Sequence, residues 1–259
     1  EGYREALAQV NDPANGLYGV TVSEVSGQLG GVFDYVLWSM GGNWADEDWN
    51  ITIDSPETRA ALEHLYAIKD YSDPSNLAWG VDESIQAFLD GRAAVCETWP
   101  SLGVVQNADD PAKSKIVGNW ALDVLPFEKT GLTLLSAWDV SINASSENKD
   151  LAWEWIKMYT DYDMQNRFHD EFGILSPRKA FWDQDKMANQ KAVRDALDTA
   201  NMWWRIPASV EADTCINSAV GAYLSDQIDL ETCVKQLTDG LTAALSSNPP
   251  EDGIKNYNH

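Results

Sequence analysis

Cysteine, histidine and basic side chains are the scarce chemistry of this chain. Its 259 residues hold three Cys, three His and 18 Lys plus Arg, against 41 Asp plus Glu. Three cysteines (Cys96, Cys215 and Cys233) are an odd number, so at least one is free or pairs between chains. Cys215 and Cys233 fall on successive expected helices at unequal distances from a turn near 225–228, and an intrachain bridge between them is not expected. With no Cys-x-x-Cys, and with His64, His169 and His259 far apart, zinc-type spacing is missing. A net charge of −23 excludes a phosphate-reading surface, and nucleic acid with it. It also disfavours anionic membranes. No apolar run approaches the roughly 18 residues of a membrane span. Gly-x-Ser-x-Gly, His-Glu-x-x-His, a phosphate loop and a dinucleotide fingerprint are all missing, and the glycines of 27–31 read as a simple turn. No catalytic residue, metal or cofactor is therefore assigned. The chain opens at Glu1 without Met or a leader and reads as a mature or trimmed product.

What the chain does have is tryptophan, twelve in all. A core prefers Leu, Ile and Val, which carry no N–H to satisfy. Several of these Trp stand in loop-like stretches beside Gly, Pro, Asp or Arg: Gly42-Asn43-Trp44, Trp99-Pro100, Trp138-Asp139 and Trp203-Trp204-Arg205. A flat apolar face next to hydrogen-bonding groups suits a sugar, whose C–H faces stack while its hydroxyls need partners. The alternative for any one of them is a place in the core.

The pattern along the chain is mixed α/β with helices dominating the second half. Residues 16–25 alternate like a strand, and 32–40 have helical spacing. Ser55-Pro56-Glu57 opens a helix, with an N-cap, a Pro in the first turn and an acid facing the dipole. Short strands are expected at 49–53 and 92–97, and strand-like stretches at 116–125 and 131–143. Helices are expected at 82–89, 149–162, 163–172, 183–200, 209–224 and 230–245. In the last of these, Leu230, Val234, Leu237, Leu241 and Leu245 keep near-ideal helical spacing.

Several stretches occur together in order: Trp38-Ser39-Met40-Gly41-Gly42, Ile53-Asp54-Ser55-Pro56-Glu57, Ala87-Phe88-Leu89-Asp90-Gly91-Arg92-Ala93-Ala94, Trp99-Pro100, Ser136-Ala137-Trp138-Asp139-Val140-Ser141-Ile142, Ala152-Trp153-Glu154-Trp155-Ile156-Lys157 and Gly173-Ile174-Leu175-Ser176-Pro177-Arg178-Lys179. This series resembles the family 1 extracellular solute-binding proteins, the sugar-capturing components of ABC importers. The resemblance implies an α/β fold of the type II periplasmic-binding-protein kind. Family members carry a long further stretch before the position of Glu1, so the chain is expected to be mainly the helix-rich C-terminal lobe (1–135 and 176–250). Residues 136–175 would belong to an incomplete N-terminal lobe, and 251–259 would form a flexible tail.

The resemblance also implies a two-lobed clamp that captures a carbohydrate without altering it and delivers it to the transmembrane subunits of an ABC permease, outside the cytoplasm. The expected ligand contacts are Trp99, Trp138, Asp139, Arg178, Trp203, Trp204, Arg205 and Gln28. Trp99 would stack on the cleft wall. Trp138 would stack at a crossover, with Asp139 accepting hydroxyl hydrogens. Arg178 and Arg205 would donate, one of Trp203 and Trp204 would touch ligand, and Gln28 would supply a polar contact. Trp153 and Trp155 are expected to be structural. Self-association through the incomplete lobe is a further expectation. Two other readings stay open: an interaction module that uses exposed Trp, and a carbohydrate-active enzyme with a carboxylate pair.

Overall fold

The computed structural model describes residues 2–22, 28–251 and 255–256. Its elements run α1 (Gly2–Val10), β1 (Tyr18–Val22), α2 (Leu29–Ser39), α3 (Pro56–Ile68), α4 (Val81–Leu89), β2 (Ala93–Glu97), α5 (Val104–Asn107), β3 (Thr133–Leu135), α6 (Lys149–Tyr159), α7 (Tyr162–Phe172), α8 (Lys179–Trp182), α9 (Lys191–Leu197), β4 (Ala200–Met202), α10 (Ser209–Leu224) and α11 (Leu230–Ser247).

β1 pairs in parallel with β2, Tyr18 opposite Ala93 and Val22 opposite Glu97. β3 pairs in parallel with β4, Thr133 opposite Ala200 and Leu135 opposite Met202. Parallel pairing needs a long crossover, and helices supply it in both sheets. The free edge of β1 is closed by side chains. Asn76 Nδ2 donates to the Val22 carbonyl at 3.0 Å, Thr21 Oγ1 donates to Asn76 Oδ1 at 2.9 Å, and Ser84 Oγ donates to the same Val22 carbonyl at 3.1 Å. Buried strand-edge groups are thereby paired without a third strand.

α2, α3, α10 and α11 pack round the main core, which contains Phe33, Leu37, Leu62, Leu65, Ile216, Leu224, Leu237 and Leu241. The anticipated cap of α3 is present: Ser55 Oγ accepts from the Thr58 amide at 3.1 Å, with Pro56 in the first turn. Asp229 caps α11 in the same way through the Thr232 amide at 2.8 Å.

Some expectations are corrected. Residues 116–125 form no strand, and the expected 131–143 strand shrinks to Thr133–Leu135. A strand persists only where a neighbour takes its backbone groups, and β4 reaches just three residues. Residues 49–53 contribute only an isolated bridge, Ala45 opposite Ile51. The expected helix over 183–200 divides into a 3₁₀ segment, Asp185–Gln190, then α9 and the start of β4. The expected strand end at 23–25 lies outside the described residues, as do 252–254 and 257–259 of the tail. Asn256, between them, is buried, and its Nδ2 donates to the Ala45 carbonyl at 3.0 Å. All three cysteines are free thiols.

Residues 136–175 differ from the rest. α6 buries none of its residues, and Leu151, Trp153, Trp155 and Met158 are exposed. The amphipathic spacing is real but thinly covered: Ala152, Ile156 and Tyr159 are half-buried, and Tyr159 meets Phe168 of α7 with ring centroids 5.1 Å apart. Trp155 stacks on Tyr159 of its own helix, ring centroids 5.0 Å apart.

Candidate functional site

Two parallel sheets present two sets of strand C-termini, and ligand sites in open α/β proteins lie beyond such ends. Trp99 follows β2 and Trp203 follows β4. Their ring centroids are 6.4 Å apart with the planes at 60°, so both edges open on one aromatic shelf. Trp203 is 38% exposed and Trp99 half-buried. Residues 23–27, which join β1 to α2, lie outside the described residues.

α2 brings the shelf close. A Cβ at Gly31 would lie 2.8 Å from Trp203 Cζ2 and 2.9 Å from Leu134 Cδ2, so only glycine lets this ring and β3 reach the helix. The ring cannot swing aside as a flexible chain end would. Gly31→Ala is therefore expected to displace Trp203 and to destabilise the chain by about 1–3 kcal/mol, read as a shifted urea midpoint together with altered Trp203 fluorescence.

Behind the shelf sits Asp34 of α2, 1% exposed. Its Oδ1 accepts the Trp44 Nε1–H at 2.8 Å, and the Trp203 indole lies near this carboxyl. Burial, the largest influence, holds Asp34 well above the usual carboxylate range; the two indoles pull the other way and neighbouring Asp213 adds to the rise. Burial also raises Asp213. At the foot of β2, Glu97 is buried and accepts from the phenols of Tyr3 (2.5 Å) and Tyr35. Sequence reading overlooked Asp34 as a site residue. Its only signal was an acid on an otherwise apolar helical run.

The structure brings some of the sequence-nominated residues together and separates others. Trp99 and Trp203 form the shelf. Asp139 and Arg205 approach each other at 3.7 Å on the surface, and Trp138 is 95% exposed. Arg178 stands apart, its Nε donating to the Thr160 carbonyl at 2.7 Å. Gln28 Oε1 accepts the Val81 amide at 3.0 Å and so satisfies a free N–H at the start of α4. Trp204 requires correction. At 5% exposure it lies in the core, edge-on to Trp44 (4.2 Å) and to Trp49 (4.9 Å), with no face left for a ligand. Thr98 Oγ1 and Asn201 Nδ2, beside the shelf in sequence, are buried without hydrogen-bond partners among the described residues. A separate open groove of about 530 Å³ lies on α6 and α7, lined by Glu154, Met158 and Arg167 among others, with no aromatic ring. Among the described residues no group of three His, Cys, Asp or Glu is placed to hold a metal ion.

A type II solute-binding fold with an aromatic shelf at its strand ends defines the class. The model of the bacterial extracellular solute-binding protein family matches residues 3–166, and the chain belongs to that family. Its fold is similar to maltose-bound T. maritima MalE3, with TM-score 0.84 and 25% identity over 93% of this chain and 64% of that one. It is also similar to the ribitol complex of an ABC transporter solute-binding protein from Agrobacterium radiobacter K84, with TM-score 0.82 and 21% identity over 95% of this chain and 63% of that one. A curated relative is a probable amino-acid ABC transporter periplasmic-binding protein, y4oP, of Sinorhizobium fredii (strain NBRC 101917 / NGR234). It is 26% identical over 159 residues, which is 60% of this chain and 35% of the relative. The chain thus spans about a third of that relative and less than two thirds of these structures. No helix of the described residues is long and apolar enough to cross a membrane.

Proposed function

We propose that this chain contributes the C-terminal lobe of an extracytoplasmic receptor for an ABC importer. The receptor captures a carbohydrate or polyol against Trp99 and Trp203 and passes it unaltered to the transmembrane permease. The shelf itself carries the reading: two indoles meet beyond the strand C-termini, Trp203 exposed and Trp99 half-buried. Stacking adds of the order of 1 kcal/mol per aromatic contact beyond area burial, and hydroxyl hydrogen bonds in a partly dried cleft supply the rest. Maltose and ribitol in the related structures belong to the same chemical class.

Residues 1–135 and 176–250 form one lobe in this reading, and 136–175 serve the other. That α6 buries none of its residues and exposes Leu151, Trp153, Trp155 and Met158 supports that division. One lobe offers half a clamp, so this chain alone is expected to bind saccharide no tighter than about millimolar. Isothermal titration with maltose, ribitol and leucine tests it, alongside Trp203→Ala. Maltose or ribitol heats that vanish in the variant support the reading. Leucine binding without any sugar response would sink it, as would turnover of an oligosaccharide.

A further inference from the structure

α2 touches the supports of both shelf rings. Gly31 and Tyr35 are four residues apart on this helix and share a face. Gly31 seats Trp203, since a Cβ there would lie 2.8 Å from Trp203 Cζ2. One turn further on, the Tyr35 hydroxyl donates to Glu97 Oε2. Glu97 is the last residue of β2, and it is buried. Its other oxygen accepts from Tyr3 of α1 at 2.5 Å, so the carboxyl is held from two sides. Only Thr98 separates Glu97 from Trp99, whose backbone is still extended (φ −78°, ψ 105°) before Pro100 starts a 3₁₀ turn. Two extended residues span at most about 7 Å, so a shift of the strand end carries directly to the ring. The two rings rise from different sheets, and α2 is a framework common to both. Packing does not account for the arrangement. Leu at 97 with Phe at 3 and 35 would fill similar space without desolvating a carboxyl.

We propose that Tyr35 and Glu97 are positioning residues of the shelf: their hydrogen bond ties the exit of β2 to the face of α2 that seats Trp203, and so sets how Trp99 and Trp203 meet. The proposal rests on the saccharide reading of the shelf for its functional meaning, but not for its test. A ligand that meets both rings already in place gives up little freedom in ordering them.

The test uses the full chain and two single-oxygen deletions, Tyr35→Phe and Tyr3→Phe. Each removes one phenol hydrogen bond to the same carboxyl, so both should lower the urea midpoint by similar amounts. Only Tyr35→Phe cuts the tie to α2. Selective tryptophan labelling, with Trp99→Phe and Trp203→Phe assigning the rings, lets the nuclear Overhauser effect between the two indoles be read without sugar. It should be present in the unmodified chain and in Tyr3→Phe, and weakened in Tyr35→Phe while the signal of exposed Trp138 stays in place. Glu97→Leu should weaken it too, and decides the matter if Tyr35→Phe does not fold. Glu97→Gln still accepts from a phenol and should retain it. An effect missing from the unmodified chain overturns the proposal, as does one left unchanged in folded Tyr35→Phe. Equal weakening in Tyr3→Phe also overturns it, because the bond to α2 would then be a stabiliser and nothing more. Followed through the Trp203 signal, the maltose Kd should rise about two- to tenfold in Tyr35→Phe. A signal that maltose leaves unmoved in the unmodified chain counts against the saccharide reading, while the contact between the rings still judges Tyr35 and Glu97.

Discussion

Trp204→Ala is expected to destabilise the chain by about 3–5 kcal/mol, whereas Trp138→Ala changes stability by no more than about 0.5 kcal/mol. The contrast follows from surroundings, since the residue type is the same. Trp138 is 95% exposed, and truncating it removes almost no buried area. Trp204 is 5% exposed and meets the Trp44 and Trp49 rings at 62° and 86°. Edge-to-face contacts of this kind add about 0.5–1.5 kcal/mol each beyond burial. The space left by Trp204 cannot readily refill, because Trp44 is tethered through Nε1 to Asp34. A loss of that size is a large share of the roughly 5–15 kcal/mol typical of a folded domain. Urea unfolding should be followed by far-ultraviolet circular dichroism, since removing a Trp alters the fluorescence itself. Similar midpoints for the two variants would show that Trp204 is not the core residue described here.

Adjacent Trp203 and Trp204 also mark where sequence reading reaches its limit. They lie just beyond a three-residue strand, so no helical or strand periodicity extends far enough to say which faces inward. The elements that were legible carry their signals locally. Ser55-Pro56-Glu57 announces the start of α3, and the Leu230 to Leu245 spacing announces α11. Trp99 could be placed because it closes a recognisable strand. Gln28 could not, because the amide it caps is 53 residues further along. Nor could Asp34, whose buried carboxyl takes the Trp44 indole N–H from beyond the end of its own helix. The strand pattern over 116–125 failed for the complementary reason: alternation prepares a face, but only a partner strand makes it a sheet.

α6 illustrates the same physics from the other side. Its apolar spacing was readable, yet spacing does not bury anything by itself. Leu151 at 70% exposure and Met158 at 51% stay largely uncovered, and among the described residues the helix is only partly covered, with Tyr159 meeting Phe168 of α7. The shelf shows the opposite outcome, where glycine at position 31 lets a loop-borne ring sit close against α2.

The second large effect concerns pH and Glu97. This carboxyl is 6% exposed between α1 and α2, receiving hydrogen bonds from Tyr3 and Tyr35. Burial raises it from its ordinary 4.5, and the two phenols only partly offset that rise. The folded chain therefore holds this proton more strongly than the unfolded chain does. Between 4.5 and the raised value the native state binds more protons, so the Glu97 contribution makes stability fall as pH rises through that window. Each unit of the rise corresponds to about 1.4 kcal/mol. Half-buried His64, stacked on Tyr3, is depressed to about 4 by burial and by nearby positive charge, and it acts in the opposite sense. Its neutral folded form loses stability as pH falls below 6.5, where the unfolded imidazole takes up a proton. Surface acids held low by partners, such as Asp226 beside Tyr66 and Lys69, also favour the higher side of their range. A single pH profile mixes all of these, and a difference separates them. Glu97→Gln can accept from one phenol and donate to the other, and it does not ionise. Subtracting the wild-type urea stability from that of Glu97→Gln cancels His64 and the surface acids. The remainder is expected to be smallest near pH 4 and to grow in favour of the variant toward pH 8. A remainder that stays flat, or that shrinks with rising pH, would mean the Glu97 carboxylate is charged and adequately solvated in the folded chain. The Tyr3 and Tyr35 phenols would then be doing more to hold its charge than burial does to remove it.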